Sequence, residues 1–200
     1  MSLHQGLDAR LEPYDVLILP GWKNSGDDHW QSRWEARFPS FNRVHQQSWD
    51  NPVRIDWVAA LDEAVSRCTK PVILIAHSLG CITVAHWASR HRHRIAGALL
   101  VAPADVERRT VAPVLKRFAP IPLAPLPFPA LVIGSDNDPC CTVWRASELA
   151  EKWGAECHIA FGAGHINAHS NLGDWEEGLI LLDVWLRGVQ AFRDDVAQVA

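Results

Sequence analysis

Short, uninterrupted hydrophobic segments recur along the chain and alternate with longer segments whose hydrophobic positions have helical spacing. The short segments are predicted strands, at residues 16–19, 71–76, 96–102, 130–134 and 157–161, with 44–46 as a weaker candidate. The longer segments are predicted helices, at residues 28–38, 56–67, 79–90, 142–153 and 175–186, with Asp27 or Asp28 as the cap of the first. Continuously hydrophobic strands are typical of a parallel sheet that helices cover on both faces.

This alternation predicts an α/β fold: a three-layer α/β/α sandwich around a doubly wound, mostly parallel sheet of about six strands. Ligands bind such a sheet beyond the carboxyl ends of its strands. The 200 residues fit one domain, residues 1–200, in which we expect residues 1–12 to be a poorly ordered N-terminal extension.

Residues 105–129 interrupt the alternation, because they hold six prolines: 113, 120, 122, 125, 127 and 129. Proline fixes φ and lacks a donor N–H, so a long helix or a central strand is excluded over most of this segment. We expect an ordered crossing over the sheet edge, with one short helix near residues 114–118 and no large cap domain.

Composition and charge exclude several classes of partner. A net charge of -4 gives no basic surface for nucleic acid, and the one basic cluster, residues 90–94, follows a predicted helix whose C-terminal dipole favours cations. No hydrophobic run approaches the roughly 20 residues that span a bilayer. Residues 1–10 lack the pattern of a secretory leader. The five cysteines show neither a CxxC pair nor zinc spacing, so we expect reduced thiols in the cytoplasm and no metal.

The strongest chemical signal is the sequence Ala76-His77-Ser78-Leu79-Gly80, between a predicted strand and a predicted helix. This context is the one that a nucleophile elbow requires, because the turn lifts a serine hydroxyl above the sheet. Small residues, here Ala76 and Gly80, are needed on either side of so tight a turn. Ser78 is therefore the predicted nucleophile, at a helix N-terminus whose free N–H groups favour developing negative charge.

Two further strand ends supply the partners of a serine nucleophile. Asp138 follows the strand 130–134 with G-x-x-x-D spacing and precedes a proline, which favours it over Asp136 as the orienting acid. His165 follows two glycines after the last predicted strand and is the predicted base, with His169 as the alternative. The chain order Ser, Asp, His is that of α/β-hydrolases and differs from the orders in chymotrypsin-like and subtilisin-like proteases.

An oxyanion hole needs two backbone donors near the nucleophile. Leu79 N–H is one candidate, and Trp22 N–H, in the loop after the first strand, is the other. We expect Trp22, Trp30 and His77 to bind substrate. The tryptophans favour an apolar acyl or leaving group.

The chain resembles the small serine hydrolases of the retinoblastoma-binding protein 9 and YdeN type. The matching segments are PGWKNSGDDHWQSRWE, AHSLGC, LLVAPAD, FAPIPLAPLPFP, GSDNDP and GHINAHSNLGDWEEG, in the same order and at similar spacing from about residue 16 to residue 185. The resemblance implies a compact α/β-hydrolase without a large cap domain and a catalytic triad of Ser78, Asp138 and His165. One departure, Asn171-Leu172 in place of a glycine-containing pair, affects the loop around the histidine but leaves the base in place.

The predicted function is cleavage of small carboxylic esters through a Ser78 acyl-enzyme, with no cofactor. A peptidase, amidase or thioesterase would use the same chemistry, so the sequence does not separate them. A non-catalytic binding protein on a hydrolase scaffold is the alternative of another class. The natural substrate and the oligomeric state are not determined by the sequence.

Overall fold

Six parallel strands form one open sheet in the computed structural model, which describes the backbone of residues 3–90 and 95–199 and the side chains of residues 6–90 and 95–190. The strands are β1 (Asp15–Leu19), β2 (Phe41–Arg43), β3 (Val72–His77), β4 (Ile95–Val101), β5 (Ala130–Ser135) and β6 (Glu156–Ala160). Their order across the sheet is β2-β1-β3-β4-β5-β6, and all neighbours are parallel. The predicted fold class is confirmed. Most of the predicted basic cluster, residues 91–94, lies outside the described residues.

Helices cover both faces of this sheet. They are α1 (Leu3–Leu11), α2 (Trp30–Arg37), α3 (Arg54–Ser66), α4 (Leu79–Ala88), α5 (Val143–Trp153) and α6 (Glu176–Val199). Helices α1, α2 and α6 pack in one hydrophobic cluster, and α3, α4 and α5 pack in the other. Alternate residues of β1 enter opposite clusters, because successive side chains of a strand point to opposite faces. None of the described helices is both long and apolar enough to cross a bilayer.

Three local features differ from the sequence predictions. The expected N-terminal extension contains α1, and Leu7 and Leu11, one helical turn apart, are buried against the sheet. Strand β2 lies three residues before the predicted 44–46, although Val44 is buried in the core as Phe41 is. Helix α2 is capped by His29, whose Nδ1 accepts a hydrogen bond from the Gln31 amide, and not by either aspartate.

The proline-rich crossing is ordered, as expected, and includes a short 3-10 helix, Leu115–Phe118. Hydrogen bonds from side chains of the helices are among the contacts that attach it to the domain. His86 Nε2 donates to the Phe118 carbonyl over 2.6 Å, and Trp153 Nε1 donates to the Pro122 carbonyl over 2.8 Å. The crossing is therefore a fixed wall beside the carboxyl ends of the strands.

Candidate active site

The turn between β3 and α4 places Ser78 at the N-terminus of α4 with a positive φ of 53° and a ψ of -117°. A serine holds such a conformation only where its surroundings enforce it. The Ser78 amide donates to the Val101 carbonyl over 2.9 Å, which attaches the turn to β4. Gly80 makes the close packing possible, because a Cβ there would lie 2.4 Å from the Leu19 carbonyl oxygen.

Ser78, His165 and Asp138 form one connected set of hydrogen bonds. The Ser78 hydroxyl lies 2.9 Å from His165 Nε2. On the other side of the ring, His165 Nδ1 donates to the Asp138 carboxylate, with distances of 3.0 Å to Oδ1 and 2.9 Å to Oδ2. The Asp138 side chain is only 1% exposed, and that of His165 is 12% exposed, so the set is largely shielded from water.

Side chains of the loop after β5 hold this loop against the loop after β6. Asp136 Oδ1 and Asn137 Oδ1 accept hydrogen bonds from the Gly162 and Gly164 amides, each over 2.7 Å. Both glycines have positive φ, at 67° and 56°, which other residues rarely adopt. This contact brings His165 to Asp138 in a fixed orientation.

The alternative residues take other positions. Asp136 accepts from Gly162 and does not contact a histidine, so Asp138 is the acid in the set. His169 is exposed, and none of its ring atoms bonds to Ser78. His77, predicted to bind substrate, is almost fully buried, and its Nε2 donates to the His165 carbonyl over 2.9 Å. Burial lowers the pKa of His77 well below its ordinary value, which keeps this ring neutral.

The pKa of His165 is raised to about 9. Burial by itself lowers the pKa, but hydrogen bonds from the ring to Asp138 and Cys140, with the Asp138 charge, outweigh burial. The site thus stabilises the imidazolium, which is the form that a general base reaches when it removes a serine proton.

The backbone N–H groups of Trp22 and Leu79 have no acceptor within the described part of the chain, as is also the case for their neighbours Gly21 and Gly80. Leu79 begins α4. Trp22 follows Gly21, where a Cβ would lie 2.8 Å from the Ser78 Cβ. The loop after β1 therefore passes directly beside Ser78, which is where an oxyanion hole would be needed if Ser78 is the nucleophile.

Arg43, at the end of the edge strand β2, holds the loop after β1 in place. Its Nη1 donates to Asn24 Oδ1 and the Ser25 carbonyl, each over 2.8 Å, while Nη2 bonds to Ser32 Oγ and Glu35 Oε2. The side chain of Arg43 is only 9% exposed. No motif indicated this role, because an isolated arginine in a loop has no pattern that marks its partners.

A cavity of about 430 Å³ opens beside Ser78. Trp22 and His77, both predicted to bind substrate, are among its lining residues. Trp30 is not: its side chain is 1% exposed, packs on Trp34 and Trp175, and donates to the Ile166 carbonyl over 2.8 Å. The substrate-binding prediction for Trp30 is thus corrected to a core position. A tryptophan beside a functional loop is indistinguishable by sequence from one that supports the loop from below.

Cys140 is a second residue that the sequence analysis did not select. Its amide donates to Asp138 Oδ1 over 2.7 Å in a turn across Pro139, and it lines the cavity. A backbone N–H two residues after an aspartate commonly bonds to its carboxylate in a turn, and this spacing is the sequence signal for the contact. Asp138, Cys140 and His165 have one potential ligand atom each within 4.8 Å of one another, which makes them a candidate cation set among the described residues.

A parallel α/β sheet that presents a serine, a carboxylate and a histidine, in that chain order, on loops at the ends of three strands is typical of serine hydrolases with the α/β-hydrolase fold. The family model described as "Serine hydrolase" matches residues 16–184, so the chain belongs to that family and is an enzyme of the hydrolase class. No functionally curated protein matches the chain.

Solved structures agree with this assignment. The chain is 36% identical to a protein assigned as a YdeN-like hydrolase from Pectobacterium atrosepticum, with a TM-score of 0.85 over 94% of this chain and 99% of that one. The ydeN gene product of Bacillus subtilis is 18% identical, with a TM-score of 0.70 over 86% of this chain and 98% of that one. The carboxylesterase CesB of Bacillus subtilis is 14% identical, with a TM-score of 0.58 over 93% of this chain and 97% of that one, and shares the fold.

Proposed function

We propose that the chain cleaves small carboxylic esters through an acyl-enzyme on Ser78, with His165 as base and Asp138 as the orienting acid. The observation that carries the proposal is the continuous hydrogen-bonded path from the Ser78 hydroxyl through His165 to Asp138. A histidine between a hydroxyl and a buried carboxylate is the arrangement that activates a serine.

In the first half-reaction, Ser78 Oγ forms a bond to the ester carbonyl carbon and its proton passes to His165 Nε2. The carbonyl oxygen becomes an oxyanion, which accepts hydrogen bonds from the Trp22 and Leu79 amides. Collapse of this intermediate breaks the bond to the alcohol, which takes the proton from His165 Nε2. Water then attacks the acyl-enzyme with the same base, and the carboxylic acid leaves.

Two observations support ester-type substrates of modest size. The cavity holds about 430 Å³, within the usual range for small-molecule sites. Its walls include apolar side chains of Trp22, Val111, Ala112 and Leu115, which suit an apolar acyl or leaving group. We further propose a cytoplasmic location, because all five cysteines are unpaired thiols.

Covalent labelling by a fluorophosphonate probe tests the nucleophile. Wild-type protein is expected to be labelled, Ser78→Ala is expected to lose labelling, and Ser89→Ala, at the opposite end of α4, serves as the matched control. Undiminished labelling of Ser78→Ala would place the nucleophile elsewhere. Folded wild-type protein that is never labelled would favour a non-catalytic binding role.

The preferred bond is tested by comparing kcat/KM for p-nitrophenyl esters, aminoacyl p-nitroanilides and acyl thioesters of matched chain length. Esters are expected to give the highest value. A higher value for the anilides or the thioesters would reassign the enzyme to an amidase or a thioesterase on the same three residues.

A further inference from the structure

We propose that Arg108 makes this enzyme selective for esters that carry a carboxylate group away from the scissile bond. This inference rests on the proposed ester hydrolysis and names its substrate class. It starts from the charges around the cavity, which differ from those of the chain as a whole.

The acidic side chains near Arg108 form ion pairs with a different arginine, Arg145. Arg145 bonds to the carboxylates of Glu107 and Glu148, and its Nε lies 3.7 Å from Asp105 Oδ1. Glu107 also accepts the Ile121 amide. One guanidinium on α5 thus gathers the acids of the loop after β4.

Arg108, on the same loop, has no carboxylate partner among the described residues. Its Nη1 donates to the carbonyl of Pro139, the residue after the orienting acid. Its Nε is buried and has no acceptor. The hydrogen bonds of the described residues include none from Nη2, so this nitrogen is available to donate to a ligand in the cavity that Arg108 lines. The contact with Pro139 restrains the side chain, so a bound anion need not order it.

Two cations, Arg108 and Lys23, and one carboxylate, Asp105, line the cavity of a protein whose net charge is -4. Lys23 Nζ lies 4.7 Å from the centre of the Trp22 ring. Arg145 offsets the Asp105 charge only in part, because it also bonds to Glu107 and Glu148. An excess of cations along a cleft favours anionic ligands. A guanidinium with unused donors binds carboxylates strongly, because hydrogen bonds between charged groups exceed neutral ones.

The apolar side chains of Val111, Ala112 and Leu115 indicate the second feature of the expected substrate, a hydrocarbon segment. They line the same cavity and follow Arg108 along the chain. An ester with a short hydrocarbon segment and a terminal carboxylate would place the hydrocarbon on these residues and the charge on Arg108.

Matched ester pairs test the proposal. One pair carries the charge in the acyl group: p-nitrophenyl hydrogen glutarate against p-nitrophenyl valerate. The other carries it in the leaving group: p-acetoxybenzoate against methyl p-acetoxybenzoate. For each pair the readout is the ratio of kcat/KM for the anionic ester to kcat/KM for the neutral ester, with the uncatalysed rate subtracted.

For the pair whose carboxylate reaches Arg108, in the acyl group or in the leaving group, we expect the ratio to fall about tenfold in Arg108→Gln, mainly through KM. In the wild type the same ratio should fall with added salt. Arg108→Glu should lower it further. Arg109→Gln, which removes the neighbouring exposed charge, should leave both ratios within twofold of wild type. Thermal melting of each variant checks its folding, and a ratio within one protein is insensitive to the amount of active enzyme.

Ratios that stay within twofold in Arg108→Gln and Arg108→Glu for both pairs would overturn the selectivity while leaving ester hydrolysis intact. A wild-type protein that hydrolyses none of the four esters would instead overturn the proposed function.

Discussion

Replacing Gly80 by alanine tests how the nucleophile turn is packed against β1. Gly80 lies in the first turn of α4, where alanine would otherwise be favoured over glycine by about 1 kcal/mol. An added Cβ would lie 2.4 Å from the Leu19 carbonyl oxygen and 3.0 Å from that of Pro20. Sterics and helix propensity therefore predict opposite signs for this one substitution.

The steric effect should prevail. The Cβ and the Leu19 oxygen must separate by roughly 1 Å to reach normal contact. Neither side yields easily, because β1 is hydrogen-bonded between β2 and β3 and the Ser78 amide is bonded to Val101. Overpacking costs about 1–3 kcal/mol, and a backbone obstacle places Gly80→Ala near the upper end. We expect a loss of about 3 kcal/mol, which corresponds to a melting temperature lower by about 6–12 °C for a chain of this length.

Urea denaturation gives the free energy of unfolding, and the rate of fluorophosphonate labelling gives the state of the site. Labelling should slow in Gly80→Ala, because the loop that carries the Trp22 amide must shift away from Ser78. Gly188→Ala is the matched control: Gly188 is exposed in α6 with open space around it, so alanine should stabilise by about 1 kcal/mol without affecting labelling. A Gly80→Ala protein as stable and as rapidly labelled as wild type would refute this reasoning.

The remaining predictions concern titratable groups. Since the base must be neutral to accept a proton and the pKa of His165 is raised to about 9, kcat/KM for a neutral ester should rise with pH from 7, reach half its limit near that value and level off above it; a plateau already complete at pH 7 would contradict it. Asp138→Asn removes the charge that raises this pKa, so the rise should move to lower pH, and the plateau should drop by about 10⁴-fold, as measured by the same pH–rate profile. Burial raises the pKa of Asp183, but the hydrogen bonds and charges of Arg10 and Arg187 lower it by more, so the pKa is lower in the folded protein than in the unfolded chain. The stabilisation from this carboxylate is therefore complete above the unfolded pKa and is lost as pH falls through the folded pKa. Asp183→Asn should cost about 1–3 kcal/mol in urea denaturation at neutral pH, and a smaller loss at acidic pH than at neutral pH is the signature to look for.

The sheet was predictable because its inner strands, β1, β3, β4 and β5, are buried on both faces. Residues 71–76 and 130–134 are continuously hydrophobic, and burial on two faces leaves no other pattern. The meeting of Ser78, Asp138 and His165 was predictable for the same reason, since loops at the carboxyl ends of parallel strands share one edge of the sheet. The G-x-x-x-D spacing and the proline that follows favoured Asp138 over Asp136, and the structure brings Asp138 to the histidine.

Side chains whose partners are distant along the chain were not predictable. The roles of Arg43 and Arg108 depend on which acceptors the folded chain places within reach, and the sequence contains no local sign of that. Trp30 shows the converse error: its hydrophobicity and its position near the oxyanion loop are equally consistent with a pocket wall and with the core. Helix α1 was missed because two leucines one turn apart are too few to establish a helical period.

The arrangement at Arg43 implies that the loop after β1, which carries the proposed oxyanion donor Trp22, needs no substrate to assemble it. A single guanidinium gathers four oxygen atoms from the loop and from α2, so the loop is already braced in the free protein. Little of a ligand's binding energy would then be consumed in shaping the donor pair, and even a small ester could meet a finished site. The corresponding weakness is that a substitution of Arg43, although it lies on the outermost strand, should release the loop after β1.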